Sequence, residues 1–303
     1  MSPNTFHALG PSDQAGEVVV GKPGVEGLSD VVQALREWQF DGTPMQLHPG
    51  DLGWNWSFGA ATLAAALWTW SRDKCILGVG LLDSPRLLRV AIAPAAQHDE
   101  ALAQQIVADV TRTERGVLPH GEASIEARFG ERLRGLLFDN GWENEEPWTP
   151  LRRDLADPVE DCGLRIEVAG PELASVRVAL QRAAIDNSTF SLQRWNAMVA
   201  GSPYVDARCL VAFDDQNRAV AVVTVWSAGP GKPGLLEPMG VHREHRGHGF
   251  GTAITVAAAS ALREMGSSSA TVCTKRSNVG AVKTYQSAGF HQLPDVADLH
   301  RRN

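Results

Sequence analysis

Closely spaced glycines lie between a predicted strand that ends near Val241 and a predicted amphipathic helix that continues to Met265. They are Gly247, Gly249 and Gly251. Glycine has no Cβ atom, so backbone N–H groups can approach a ligand closely, and a helix start adds unpaired N–H donors and a positive dipole. The segment therefore predicts a cradle for a phosphate or pyrophosphate group.

Three kinds of nucleotide site compete for this cradle. A P-loop requires a lysine after its last glycine, and none follows here. A dinucleotide fingerprint requires G-x-G-x-x-G, whereas the spacing here is G-x-G-x-G. Gly229, Gly231 and Gly234 do have the dinucleotide spacing, but Pro230 and Pro233 remove N–H donors there and a strand follows. The third candidate is an acyl-coenzyme A cradle.

Two motifs carry a resemblance to a known family. Arg246, Gly249 and Gly251 form R-x-x-G-x-G, which resembles motif A of the GNAT superfamily of acetyltransferases. Farther along, the segment from Asn278 to Phe290 resembles the family's N-x-x-A-x-x-x-Y-x-x-x-G-F pattern. Both motifs lie on the expected elements at the expected separation.

The resemblance is sharp over 208–292, looser over 163–207 and only architectural over 43–155. It implies an α/β (α+β) fold, in which a mixed, mostly antiparallel sheet is flanked by helices and splayed open where acyl-CoA inserts. It also implies direct transfer of an acetyl group from acetyl-CoA to an amine.

The family's cofactor contacts can be carried over to this sequence. Backbone N–H groups of the cradle would hold the pyrophosphate, the preceding strand would pair with the pantetheine arm, and one of its amides would polarise the thioester carbonyl. The residues expected to bind the cofactor are Met239, Gly240, Val241, Arg246, Gly247, His248, Gly249, Phe250, Gly251, Thr252 and Asn278.

Two catalytic residues are expected from the same resemblance. Tyr285 would protonate the leaving thiolate, which suits a phenol with a pKa near 10. Glu237 precedes Val241 by four residues and would take the proton from the acceptor ammonium. The alternative for Glu237 is a structural role or a side chain that faces away.

Other polar residues have simpler interpretations. Asp186 could receive a cation, but a solvated helix cap is favoured. His242, His245 and His248 recur every three residues without partner ligands, so no metal site is predicted. Cys273 is interpreted as a small core residue.

The order of predicted elements occurs twice, at an offset of about 149 residues, which indicates an internal duplication. In the first copy Gln97, Glu100 and Leu102 stand where the cradle has Arg246, Gly249 and Gly251. Acidic residues there have the wrong sign for a pyrophosphate. The sequence thus predicts a degenerate first copy.

Three segments follow from the duplication. They are a flexible lead-in over 1–28, a degenerate N-terminal GNAT-like domain over 29–158, and a catalytic C-terminal GNAT domain over 159–303. This tandem architecture is similar to that of bacterial acetyltransferases of the mycothiol synthase type.

Local patterns in the first copy give further expectations. Residues 60–71 are predicted as a strand, and 48–54 as a turn. The alternation of Trp54, Trp56, Trp68 and Trp70 predicts strand faces that meet the core or a domain interface.

Composition bounds the function. The chain has 303 residues, 44% hydrophobic residues and a formal net charge of −7, which disfavours nucleic-acid binding. No membrane span and no secretory signal are predicted, so a cytoplasmic location with reduced cysteines is expected.

These observations favour an acetyl-CoA-dependent N-acetyltransferase that acts on the primary amine of a small molecule or peptide. The alternatives are a protein-lysine acyltransferase and an acyl-CoA-binding sensor or scaffold without turnover. The sequence does not determine the acceptor or the oligomeric state.

Overall fold

The computed structural model describes residues 16–302. The first half of the chain forms, in order, β1 (Val19–Gly21), α1 (Leu28–Glu37), α2 (Pro49–Asn55), α3 (Ala60–Ala66), β2 (Leu67–Arg72), β3 (Cys75–Ser84), β4 (Leu87–Ile92), α4 (Glu100–Thr111), β5 (Ala123–Glu126), α5 (Glu131–Asp139) and β6 (Glu143–Asp154).

The second half repeats this order, except that two helices precede its second strand where the first half has three. It forms β7 (Arg165–Val168), α6 (Ala174–Ala184), α7 (Leu192–Val199), β8 (Ala207–Phe213), β9 (Ala219–Trp226), β10 (Gly234–Val241), α8 (Phe250–Glu264), β11 (Ser269–Lys275), α9 (Val279–Ser287), β12 (His291–Gln292) and β13 (Val296–Arg301).

The two halves share one mixed sheet. Its strand order is β1-β2-β3-β4-β5-β13-β6-β11-β10-β9-β8-β7, and β12 also pairs with β6. The last strand of the chain, β13, lies between β5 and β6, and β6 in turn pairs with β11 of the second half. Each half therefore gives its final strand to the centre of a common sheet.

Helices cover both faces of this sheet in the second half. One core layer joins Leu236 to residues of α8 and α9, and another joins Leu235 to residues of α6 and α7. Consecutive residues of β10 thus face opposite layers, as a strand requires. The core of the first half includes Leu299 from β13, so the exchanged strand also contributes to that core.

Helix α2 of the first half packs on strands of the second half. His48 caps the helix: its Nδ1 accepts from the N–H of Gly50, and its Nε2 lies 3.3 Å from the carbonyl oxygen of Pro233. A Cβ atom at Gly50 or Gly53 would overlap the side chain of Trp226 on β9. The two glycines therefore allow the helix backbone to lie directly on that indole ring.

Several local predictions for the first half are wrong. Residues 60–66 are helical because the alanine-rich stretch has high helix propensity, and the strand begins only at Leu67. Trp54 lies on α2 and Trp56 on a 3-10 turn, so only Trp68 and Trp70 are on a strand. The expected turn at 48–54 is α2 and its cap.

The ends of the chain also differ from expectation. Within the expected lead-in, Val19–Gly21 pairs with β2 at the sheet edge, whereas residues 1–15 lie outside the described part. The sequence motifs end at Phe290 and predict no strand after it, whereas β13 completes the centre of the sheet. The division at 158/159 stays a prediction.

Candidate active site

The sheet opens between β10 and β11. These parallel strands pair only at Gly234 with Ala270 and at Leu235 with Thr271. Beyond that point β10 continues along β9, and β11 continues along β6. A slot therefore separates the two strands, and one of its walls carries the expected cofactor residues Met239, Gly240 and Val241.

The glycine-rich loop lies at the open end of this slot. Gly247 and Gly249 each have φ of +81°, in the left-handed region that favours glycine. Gly249 is the N-cap of the 15-residue helix α8, and no side chain caps that end. The first N–H groups of the helix, at Phe250, Gly251 and Thr252, are thus available to an anion.

Close packing fixes the position of the loop. The guanidinium of Arg246 donates to the carbonyl oxygen of Ala184 at the end of α6, at 2.7 Å. A Cβ atom at Gly240 would lie 2.7 Å from that of Ala184, and one at Gly251 would lie 3.1 Å from Thr284 on α9. Arg246 thus ties the loop to α6, and the two glycines let β10 and α8 approach neighbouring helices.

Helix α9 carries the remaining motif residues. Asn278 caps the helix, because its side-chain oxygen accepts from the N–H of Ala281 at 3.2 Å. Tyr285 is buried, and its pKa is raised by that burial and by the negative charge of Glu237. The phenol therefore remains protonated at neutral pH, as a proton donor must.

Glu237 lies where β10 bulges away from β9. The register shifts between Leu236 and Met239, and the indole N–H of Trp226 donates to the carbonyl oxygen of Glu237 at 2.6 Å. The half-buried carboxyl has a pKa raised to about 8, first by burial and then by the negative charge of Asp51. A carboxylate of this basicity is suited to take a proton near neutral pH.

The charges around Glu237 come from the first half of the chain. Arg89 on β4 donates to Asp51 on α2 at 2.7 Å and to Glu126 on β5 at 3.0 Å. The positive charge of Arg89 lowers the pKa of Glu237, whereas Asp83 and Glu126 raise it. The first half thus contributes to the electrostatics of the second half's site.

Arg128 extends these ion pairs of Arg89 toward the opposite wall of the slot, and we call the whole series the ion ladder. It lies 3.4 Å from Glu126 and 3.3 Å from Asp298 on β13, and it donates to the sulfur of Cys273 at 3.6 Å. Sequence reasoning missed this ladder. The available signal was Arg89 inside the otherwise apolar strand β4, together with Glu126 at the end of β5.

The other polar candidates have local partners. Asp186 is exposed and lies 3.3 Å from the guanidinium of Arg243. The ring of His248 bonds the carbonyl oxygen of Arg246 at 2.9 Å. Within residues 16–302 no group of three His, Cys, Asp or Glu side chains has metal-binding geometry.

The equivalent region of the first half is closed. The side-chain amide of Gln46 bonds both the N–H and the carbonyl of Ile92, at 2.9 and 3.3 Å, on the edge of β4 beyond its pairing with β5. Asp99 caps α4 and is held by Arg72. The side chain of Gln46 thus occupies the free edge of β4, and the carboxylate of Asp99 occupies the start of α4.

Comparison with known proteins agrees with this geometry. The sequence model of the Acetyltransferase (GNAT) family matches residues 182–290, which include the slot, the loop and Tyr285. This segment belongs to the GNAT acetyltransferase family. No curated protein matches the chain.

Solved structures extend the likeness of fold to nearly the whole chain. A tandem GNAT protein from the clavulanic acid biosynthesis pathway is 14% identical, with a TM-score of 0.60 over 94% of this chain and 98% of its own. A GNAT-family acetyltransferase from Colwellia psychrerythraea is 13% identical, with a TM-score of 0.60 over 94% of this chain and 100% of its own.

A GCN5-related N-acetyltransferase from Sphaerobacter thermophilus is 16% identical, with a TM-score of 0.56 over 94% of this chain and 95% of its own. The chain therefore has the tandem GNAT fold.

No helix within residues 16–302 is long and apolar enough to cross a membrane.

Proposed function

We propose that the protein is an acetyl-CoA-dependent N-acetyltransferase with one active site, in its second half. The observation that carries this proposal is the open slot between β10 and β11, which leads from the uncapped start of α8 to Glu237. Acetyl-CoA would supply the activated acetyl group.

The residues present fit such a cofactor. N–H groups at the start of α8 would bind the pyrophosphate, and the free edge of Met239–Val241 would pair with the pantetheine arm. The nitrogen of the Asn278 side chain would be available to that arm, since the oxygen of the same side chain caps α9.

Two side chains would manage the protons of the reaction. Glu237 would accept the proton of the acceptor ammonium, because its raised pKa brings the carboxylate close to working pH. Tyr285 would donate its proton to the departing thiolate. The acceptor is a primary amine, which the carboxylates around Glu237 favour in its cationic form.

The first half would bind no cofactor. Gln46 on the strand edge and Asp99 at the start of α4 support this view. We therefore expect one equivalent of acetyl-CoA per chain.

Isothermal titration of acetyl-CoA tests the proposal directly. Gly249→Glu places a side chain and a negative charge in the cradle, so binding at one site should be lost. Gly116→Glu is the matched control, because Gly116 also has a left-handed φ, of +72°, with nothing near its Cβ position, but lies in the first half. No binding by the wild-type protein would refute the proposal, and two equivalents would refute the closed first half.

Turnover separates an enzyme from a sensor. Thiol release with a panel of primary amines should be detected for the wild type and lost in the double variant Glu237→Gln, Tyr285→Phe. Acetyl-CoA binding without any thiol release would favour an acyl-CoA sensor. Turnover that survives the double variant would overturn the assigned roles.

A further inference from the structure

A cavity of about 440 Å³ lies between the two halves of the chain. Its walls are mostly apolar. The loop between α1 and α2 contributes Phe40, Pro44 and Met45, and the second half contributes Leu235, Leu293 and Val296. The volume is within the range of roughly 300–1,000 Å³ that small-molecule sites usually have.

The cavity borders the closed end of the slot. Leu235 and Thr271, which both line it, are the last pair before β10 and β11 separate. Leu235 belongs to the core layer of α6 and α7, so the cavity lies on that face of the sheet, opposite α8. Glu237 follows Leu235 by two residues, a distance of about 7 Å along a strand.

Polar side chains in the cavity wall are already engaged with the protein. Gln39 donates to two backbone carbonyls, and Gln46 bonds the backbone of Ile92. Both ring nitrogens of His48 have partners, and burial lowers its pKa to about 3, so the ring is neutral. The hydroxyls of Thr43 and Thr271 each donate to a backbone carbonyl.

Among the residues that the structure describes, the charged groups that line the cavity are Asp41 and Arg152, and they form a pair. Asp41 accepts from Arg152 at 3.3 Å and from the hydroxyl of Ser269 at 2.6 Å. The pair has no net charge, and the hydroxyl of Ser269 occupies a further acceptor site of the Asp41 carboxylate. The cavity therefore offers apolar contact area and no free charge to a ligand.

We propose that this cavity is the acceptor pocket, and that the acceptor is a primary amine with an uncharged, apolar body. The body lies in the cavity between the halves, and the amino group extends past Leu235 toward Glu237 and the slot. The first half thus forms one wall of the acceptor site. This inference rests on the proposed acetyltransferase function and names its substrate class.

Tryptamine, which joins an indole to one primary amine, is the probe for the test. Calorimetric titration of tryptamine into the wild-type protein should show binding, and tryptamine should be acetylated with a higher kcat/KM than spermidine, whose body is cationic. Preference for spermidine would overturn the proposal.

Variants that fill the cavity from either wall locate the binding site. Leu293→Trp and Pro44→Trp should each weaken tryptamine binding by at least about tenfold, because each displaces apolar contacts of the ligand. Pro44 is exposed and lies in a loop, so its replacement tests the cavity even if Leu293→Trp disturbs folding. Val205→Trp is the matched control, at an 81% exposed position outside the cavity.

Two further measurements distinguish the outcomes. Acetyl-CoA affinity should be unchanged in both filled variants. If the wild-type protein does not bind acetyl-CoA, the proposed function is refuted, and the tryptamine titration still tests the cavity. Octanoyl-CoA tests the competing occupant. If octanoyl-CoA binds more tightly than acetyl-CoA, and both filled variants abolish this difference in affinity, the cavity holds an acyl chain and the proposal is wrong.

Discussion

Glu237 combines a strand bulge, partial burial and carboxylate neighbours. Burial and the charges of Asp51, Asp83 and Glu126 raise its pKa to about 8, and Arg89 opposes them. The negative charge of Glu237 in turn helps to raise the pKa of Tyr285, so the phenol remains neutral. The pKa of Glu237 is therefore set first by burial and then by the charges of residues distant in sequence.

Removal of the carboxylate should slow the reaction strongly. Glu237→Gln is expected to lower kcat/KM by about 10²- to 10⁴-fold, the usual contribution of a general base. Because the base must be deprotonated, wild-type kcat/KM should rise with pH and level off above about 8. This limb should vanish in the variant and persist in Glu172→Gln, an exposed control. A pH profile shared by all three proteins would refute the assignment.

The influence of Arg89 can be measured without an acceptor. Arg89→Met removes the positive charge and leaves the carboxylates, so the pKa of Glu237 should rise by about one unit or more. Carbon-13 NMR titration of the glutamate carboxyls, assigned with Glu237→Gln, measures this shift. Asp83→Asn, at an exposed position, should lower the same pKa.

Arg86→Met is the control for Arg89. Arg86 is exposed and lies 3.7 Å from Glu122, away from Glu237. Its replacement should leave the Glu237 titration unchanged. Equal titration curves for Arg89→Met and the wild type would contradict the role given to the ion ladder.

Among the helices, α2 joins the two halves because the backbone at its glycines packs directly on the side chain of Trp226. Gly53→Ala should destabilise the protein by about 1–3 kcal/mol, because the added methyl group overlaps Trp226. Gly135→Ala on α5 is the matched control: it meets nothing within 4 Å and should stabilise the helix slightly. Urea unfolding measures both. Equal effects would show that α2 does not lie on Trp226.

The open end of the slot can be predicted from a local sequence pattern. Gly247, Gly249 and Gly251 and the following apolar helix indicate its open end before any tertiary contact is known. The exact partners of β10 and β11 do not follow from the motif, because strand pairing joins segments far apart in the chain. The open geometry was expected only through the family resemblance.

At the scale of the whole molecule, the exchanged strands join the two halves. Leu299 of β13 is fully buried in the core of the first half. Leu299→Ala should therefore lower the free energy of unfolding by about 2–5 kcal/mol, as truncation of a buried leucine usually does. Leu192→Ala, at a 46% exposed position, is the control.

The same variant tests cooperativity between the halves. Because β13 pairs with both β5 and β6, guanidinium unfolding followed by tryptophan fluorescence and by far-ultraviolet circular dichroism should give one shared transition for the wild type and Leu299→Ala. Two separate transitions would show that the halves fold independently of the exchanged strand.

Short sequence patterns show the family motifs, the repeated order of elements and the loss of the cradle residues from the first copy. These features are local: they rest on glycine spacing, helix starts and apolar periodicity within short segments. The mistaken strand at 60–66 is also local, because the apolar character of the segment favours a strand while its alanines favour a helix.

Long-range contacts establish the strand exchange, the packing of α2 on Trp226, the ion ladder beside Glu237 and the cavity between the halves. Each joins residues more than 100 positions apart or depends on which faces of two halves meet. Such contacts are selected by burial and charge compensation over the whole molecule, which no short sequence pattern encodes.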